Sequence, residues 1–174
     1  MKIYFDMDGV LADFDASIST SQDLNHPTEN LTAANRALKE KLWHDIEQNV
    51  KFWSDMPIIK NAEQMLNTAT RHAECFVLSK VPSAKHFING EKYVRFIENE
   101  KQKWILKHFG NFFDISHIII CNGNKGELIH PTHNDILIDD RQENIKDWEL
   151  CGGRGILFQD AATTSYAIEN LSQN

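Results

Sequence analysis

The 174-residue chain predicts an α/β fold in which helices cover both faces of a parallel sheet. Five short apolar or β-rich segments recur along it, and the stretches between them are long enough for helical crossovers. Several of those stretches also carry apolar residues at helical spacing. A continuous run such as Ile118-Ile119-Ile120 suits a strand buried on both sides, whereas a strand with one wet face would alternate.

Taken in order, Lys2 to Phe5 reads as the first strand. Phe14 to about Phe52 is too long for a simple connection and has Leu38, Leu42, Ile46 and Val50 spaced by four, which predicts an inserted helical segment. Asn25-His26-Pro27-Thr28-Glu29-Asn30 should break it into an early and a later helix, because Pro and Asn favour turns. Asn61 to Arg71 places Ala62, Met65, Leu66 and Ala69 on one helical face, and Glu74 to Leu78 follows as the second strand. Glu91 to His108 predicts a longer helix through Val94, Ile97, Ile105 and Leu106. Ser116 to Cys121, Asp135 to Ile138 and Gly155 to Phe158 are the remaining strands, with Arg141 to Leu150 and Ala161 to Leu171 as the last helices. The expected division is a core of residues 1–13 and 54–174 with a small helical cap of residues 14–53 inserted after the first strand.

Composition narrows the function. Hydrophobic residues at 41% and charged residues at 25% are globular usage, and a net charge of −7 disfavours binding to a nucleic-acid polymer, which needs clustered cations. Cys75, Cys121 and Cys151 are odd in number and widely spaced, so neither a disulfide framework nor a Cys-x-x-Cys metal site is expected. No stretch approaches the ~18 apolar residues of a membrane span, and the N-terminus lacks the pattern of a secretion signal. A cytoplasmic protein without a membrane partner is the expectation. A homodimer is compatible with the sequence, and nothing requires one.

Asp6-Met7-Asp8-Gly9-Val10-Leu11-Ala12-Asp13 directly follows the apolar run Ile3-Tyr4-Phe5. Side chains alternate along extended backbone, so Asp6 and Asp8 project the same way, and Gly9 permits a sharp turn that exposes both. Paired carboxylates repel, and hard oxygen ligands favour magnesium as the neutralising cation. An EF-hand would continue with acidic or amide ligands beyond the glycine, but Val10, Leu11 and Ala12 are apolar. Ile136-Leu137-Ile138-Asp139-Asp140 ends a second apolar run in two adjacent acids, a costly burial without a cation. His130 and His133 flank Pro131 in a loop with no cysteine ligand and read as solvated rather than metal-binding.

These motifs resemble the haloacid dehalogenase (HAD) superfamily of aspartate-nucleophile phosphohydrolases, and Gly9-Val10-Leu11-Ala12-Asp13-Phe14 resembles its 5'(3')-deoxyribonucleotidase branch. Phe76-Val77-Leu78-Ser79 matches the second motif, Lys125 in Cys121-Asn122-Gly123-Asn124-Lys125-Gly126 is the best match to the third, and Asp139-Asp140 matches the fourth. Lys80, Lys101 and Lys103 are rivals to Lys125. A receiver domain uses similar groups but places its acid pair after the first strand and a single Asp after the third, where this chain has none.

The resemblance implies a Rossmann-like, three-layer HAD core with Mg²⁺ held by Asp6, the Asp8 backbone carbonyl and the Asp139/Asp140 pair, the direct ligand of that pair being open. It further implies Asp6 as nucleophile, Asp8 as acid and base, and Ser79 and Lys125 as phosphate-binding groups. Phe14, Trp43, Phe52 and Trp53 are candidates for stacking on a base, as against simply joining cap to core. Ser79 is followed by Lys80 where that branch has a Thr-Ser pair, so the phosphate or sugar contacts differ there. The expected function is a magnesium-dependent 5'(3')-deoxyribonucleotidase acting on nucleoside monophosphates through an aspartyl-phosphate. The alternatives are a phosphatase for another small phosphomonoester, or a catalytically silent binding module.

Overall fold

The computed structural model describes residues 1–21 and 36–173. The turn expected between Asn25 and Asn30 lies outside them. Five parallel strands form one sheet: β1 (Lys2–Phe5), β2 (Glu74–Lys80), β3 (Ile118–Cys121), β4 (Asp135–Asp139) and β5 (Arg154–Leu157), in the order β3-β2-β1-β4-β5. The helices are α1 (Phe14–Ser21), α2 (Arg36–Gln48), α3 (Ala62–Thr70), α4 (Gly90–Phe109), α5 (Lys125–Ile129), α6 (Gln142–Leu150) and α7 (Ala161–Glu169).

Strand alternation sorts the core into two layers. Ile3, Phe5, Val77, Ile136 and Ile138 join one apolar cluster with Met65 and Leu66 of α3, Ile97 and Ile105 of α4, and Ile168 of α7. Tyr4, Leu78 and Leu137 face the other way and pack with Ile145 and Trp148 of α6. The expected three-layer α/β architecture is therefore present.

Several boundaries differ from the sequence expectation for local reasons. β2 runs on to Lys80 because Ser79 and Lys80 pair with Ile120 and Cys121 of β3. β3 starts at Ile118 because Ile115–His117 form a 3₁₀ turn, capped by the Asp114 side chain accepting from the Ser116 amide. No helix is expected from the sequence between β3 and β4, yet α5 begins at Lys125, with the Asn124 side chain accepting from the Gly126 and Glu127 amides. Asp160 caps α7 in the same way through the Thr163 amide. α2 ends at Gln48, so Val50 falls off the apolar stripe and is 69% exposed.

The chain leaves and re-enters the core through a short antiparallel stem. The Asp13 amide donates to Pro57 O at 2.8 Å and the Ile59 amide to Leu11 O at 2.9 Å. The Asp13 side chain then starts α1 by accepting from the Ala16 amide. At the far end of the excursion, buried Glu47 fastens α2 to the segment before α4. Its carboxylate accepts from the Ile88 and Asn89 amides, each at 2.8 Å, and from Asn89 Nδ2 at 2.9 Å. These bonds hold the Glu47 carboxyl below the usual range despite the opposing effect of burial. Tyr93 Oη adds a bond to Ile46 O at 3.0 Å. Glu47→Ala strands two amides and should lower the free energy of unfolding by about 1–3 kcal/mol, read from urea denaturation, while Glu47→Gln retains part of that loss.

Candidate active site

In an open α/β sheet the crevice lies beyond the carboxyl ends of the strands, where the strand order reverses. Here that point lies between β1 and β4, and both acidic motifs sit there. The Asp6 amide donates to Ile138 O at 2.8 Å, which carries the β1–β4 ladder one residue past Phe5 and sets Asp6 beside the end of β4. The backbone then turns sharply, the Leu11 and Ala12 amides both bonding to Met7 O. Gly9 makes that turn at φ +77°, and a Cβ there would stand 2.6 Å from Asp140 Cγ. Only glycine suits both the angle and the approach.

Two buried lysines divide the acids between them. Lys125, at the start of α5, reaches Asp6 Oδ1 at 2.8 Å and Asp139 Oδ2 at 2.7 Å. Lys101, from the middle of α4, is 0% exposed and donates to Asp8 Oδ2 at 2.5 Å, Ser79 Oγ at 3.0 Å and Lys80 O at 2.8 Å. Its ammonium also lies over the Trp53 ring, with Nζ 5.2 Å from the centroid. Of the other two lysines, Lys103 pairs at the surface with Glu100, and Lys80 donates to Asn144 Oδ1 at 2.6 Å. Lys101 was legible as an anomaly, a charged residue on the apolar stripe through Val94, Ile97 and Ile105.

The carboxylates differ in how completely they are satisfied. Asp139 accepts at Oδ1 from the Arg141 amide and Asn144 Nδ2, and at Oδ2 from Lys125 and Asn144 Nδ2, a full complement for a carboxylate. Asp8 Oδ1 and Asp140 Oδ1 are buried without a hydrogen bond, and Asp6 Oδ1 has only its ion pair with Lys125. Burial, followed by repulsion from Asp6, pushes the Asp140 carboxyl up to about 8. Burial likewise pushes Asp6 up to about 6, against the pull of Lys125. Burial opposes the Lys125 ammonium, but Asp6 and Asp139 outweigh it and keep its pKa above the ordinary lysine value. Among the described residues Asp6, Asp139 and Asp140 form the one carboxylate group able to enclose a cation, with ligand oxygens within 4.8 Å of one another. Orphaned buried oxygens with raised pKa values fit a hard divalent cation such as Mg²⁺.

The candidate aromatics also come together. Phe14 contacts Trp43, Phe52 and Trp53 at centroid distances of 6.3, 5.4 and 6.0 Å, and Trp43 stacks against His86 at 6.0 Å. Phe52 and Trp53 are buried at 3% and 0% exposure and join the core, while Phe14 and Trp43 stay partly exposed. Of the two roles open to these rings, the burial of Phe52 and Trp53 fits joining the inserted segment to the core. Arg141 pairs with Glu143 at the surface, and His130 and His133 are exposed.

Comparison with known proteins places the chain in a family. The family model described as 5' nucleotidase, deoxy (pyrimidine), cytosolic type C protein matches residues 1–170. The chain belongs to this family. It is a HAD-superfamily hydrolase of the phosphatase and nucleotidase kind. No curated protein sequence matches it. Among solved structures, a haloacid dehalogenase-like family hydrolase from Xanthomonas campestris aligns at TM-score 0.63 and 12% identity, covering 99% of this chain and 92% of that one. A HAD-superfamily hydrolase from Ehrlichia chaffeensis aligns at 0.57 and 15%, covering 98% and 97%. A HAD-hydrolase from Bacillus subtilis, described as bound to magnesium, aligns at 0.57 and 11%, covering 96% and 97%. At these identities the likeness is one of fold.

A pH dependence follows for the metal-free protein of this nucleotidase family. Asp6 and Asp140 bind their protons more tightly when folded, at about 6 and about 8 against an ordinary 3.8. Their contribution therefore favours the folded state fully below pH 3.8 and is lost as pH rises through those two values. Thermal melting in chelator should show stability from this cluster falling over that window. A divalent cation, which needs both groups ionised, should raise the melting temperature more at about pH 9 than at about pH 5.

Proposed function

We propose that this protein is a magnesium-dependent nucleoside monophosphate phosphatase, with deoxyribonucleotides as the favoured substrates, working through an aspartyl-phosphate on Asp6. The observation that carries the reading is the different company of the two acids in the first motif. Asp6 is held by Lys125 at the strand end, and Asp8 by Lys101, which also holds Ser79. One carboxylate cannot attack phosphorus in line and also reach the oxygen departing on the opposite side, so the chemistry needs two acids held separately.

In this mechanism the Asp6 carboxylate attacks phosphorus, and the P–O bond to the sugar breaks as Asp8 delivers a proton to the leaving oxygen. Asp8 then takes a proton from the water that attacks the acyl phosphate, freeing Asp6 and inorganic phosphate. Lys101, Lys125 and Ser79 place donors around the equatorial oxygens, where negative charge gathers in the transition state. Asp6, Asp140 and the Asp8 main-chain carbonyl would hold Mg²⁺, and Asp139, with its acceptors occupied, would orient Lys125 instead. The cation would supply neutralisation of the carboxylate and phosphate charges that otherwise repel.

Residues 14–53 act as the cap in this reading. Phe14 and Trp43 supply the partly exposed rings on which a base could stack, and Phe52 and Trp53 support them from the core. Cys75, Cys121 and Cys151 are free thiols, and no described helix is long and apolar enough to cross a membrane. A reducing cytoplasm is the compartment we propose.

Phosphate release from a panel of deoxy- and ribonucleoside monophosphates, with Mg²⁺ or chelator, tests the proposal. Hydrolysis that needs Mg²⁺ and discriminates among bases is expected; release from no nucleotide rules it out, and indifference to the base would point to another phosphomonoester. Asp6→Asn should reduce turnover by about a thousandfold or more, and Asp8→Asn by about 10²–10⁴-fold with substrate binding largely kept.

A further inference from the structure

Lys80 stands where the resemblance to the nucleotidase branch fails, and it takes no part in the chemistry above. Ser79 and Lys80 are neighbours on β2, so their side chains project to opposite faces of the sheet. Ser79 meets Lys101 of α4, whereas Lys80 crosses towards α6, where its ammonium donates to Asn144 Oδ1 at 2.6 Å. Asn144 is buried in the first turn of α6, and its Nδ2 bonds Asp139 Oδ1 at 2.9 Å and Oδ2 at 3.0 Å. The amide cannot sit the other way round. An ammonium has only donors and an ionised carboxylate only acceptors, so Lys80 and Asp139 together fix which end of Asn144 faces which.

The result is an unbroken alternation from Lys80 to Asn144, Asp139, Lys125 and Asp6. Asp139 contributes two of its four accepted bonds to Asn144, and it could turn an oxygen towards a cation only by breaking some of them. Asp140, one residue further, has Oδ1 buried and unbonded. We propose that Lys80 and Asn144 are positioning residues that hold Asp139 on Lys125 and away from the cation, so that Asp140 alone of the pair is the ligand. This rests on the cation site described under Proposed function. What these two residues would govern is which ion the site prefers. Without them Asp139 is free to add a carboxylate oxygen, and a site with more oxygen ligands and a looser frame suits Ca²⁺ better than Mg²⁺.

The test is calorimetric titration of the full chain with Mg²⁺ and, separately, Ca²⁺, without substrate, for the wild type, Lys80→Met, Asn144→Ala and the double variant. Asn144→Ala should shift the ratio of Mg²⁺ to Ca²⁺ affinity towards Ca²⁺ by about 10-fold, the order of effect of removing groups that orient the surroundings of a metal. Lys80→Met should shift it the same way by less, and should add nothing in the Asn144→Ala background, since Lys80 acts through that amide. With a nucleotide substrate, kcat should fall more than KM rises. An unchanged ion ratio in Asn144→Ala, or fully additive shifts, overturns the inference and leaves the cation site standing. A wild type that binds neither ion overturns both. Lys80 is only half-buried, so Lys80→Met decides the matter by itself if Asn144→Ala does not fold, and an unchanged ratio there counts against the inference.

Discussion

Four carboxylates crowd the carboxyl ends of two adjacent strands, and their mutual repulsion in a buried place is the constraint around which the rest of the molecule is arranged. Desolvation raises Asp6 and Asp140 first, and Asp139 and Asp8 add to both, as Asp6 does to Asp140. The sheet brings these acids together through the β1–β4 pairing, and the helices answer by delivering cations. α4 spans 20 residues with a lysine buried in its middle, and α5 is a five-residue helix whose first residue is another. Neither lysine stabilises the fold in the ordinary sense of a surface ion pair. Removing either would leave uncompensated charge inside, which costs far more than the pair contributes.

The same crowding explains the local backbone. Asp140 comes so near the turn after Asp8 that a side chain at position 9 has nowhere to go. The stem between residues 11–13 and 57–59 starts at once beyond that turn, so the inserted helices hang from the rim of the site. Their aromatic cluster reaches the site through Trp53, which covers Lys101 and shields it from water. The excursion and the charge cluster are thus joined by one ring.

Much of this was legible in the sequence because its signals are local. Apolar runs ending in acids located β1 and β4 and the residues beyond them, and the order of the four motifs distinguished this site from other acidic sites. What stayed hidden depends on three-dimensional proximity. Nothing in spacing alone says that Lys101, in the middle of a helix, meets Asp8, or that Asn144 meets Asp139 across a turn. The satisfied state of Asp139 and the unsatisfied state of Asp140 cannot be separated from a dipeptide. Four aromatics in one segment are visible in the sequence, but which of them the core buries depends on the packing. The short α5 escaped because five residues are too few to show a helical period, while its cap, Asn124, is the residue that starts it.

The central position of β1 has a kinetic side. Within this chain β1 is made before the strands that flank it, yet it is the innermost strand of the finished sheet, and its two neighbours pair Phe5 with Val77 and with Ile138. Both contacts are distant in sequence, and the second waits until most of the chain exists. Closing such long loops is slow, and meanwhile the apolar strand carries two open edges. Asp6, Asp8 and Lys2 border that strand with charge during the interval, an arrangement that discourages edge-to-edge association. The acids that crowd the site in the finished fold thus also set like charge beside an apolar strand whose edges are still open in the incomplete chain.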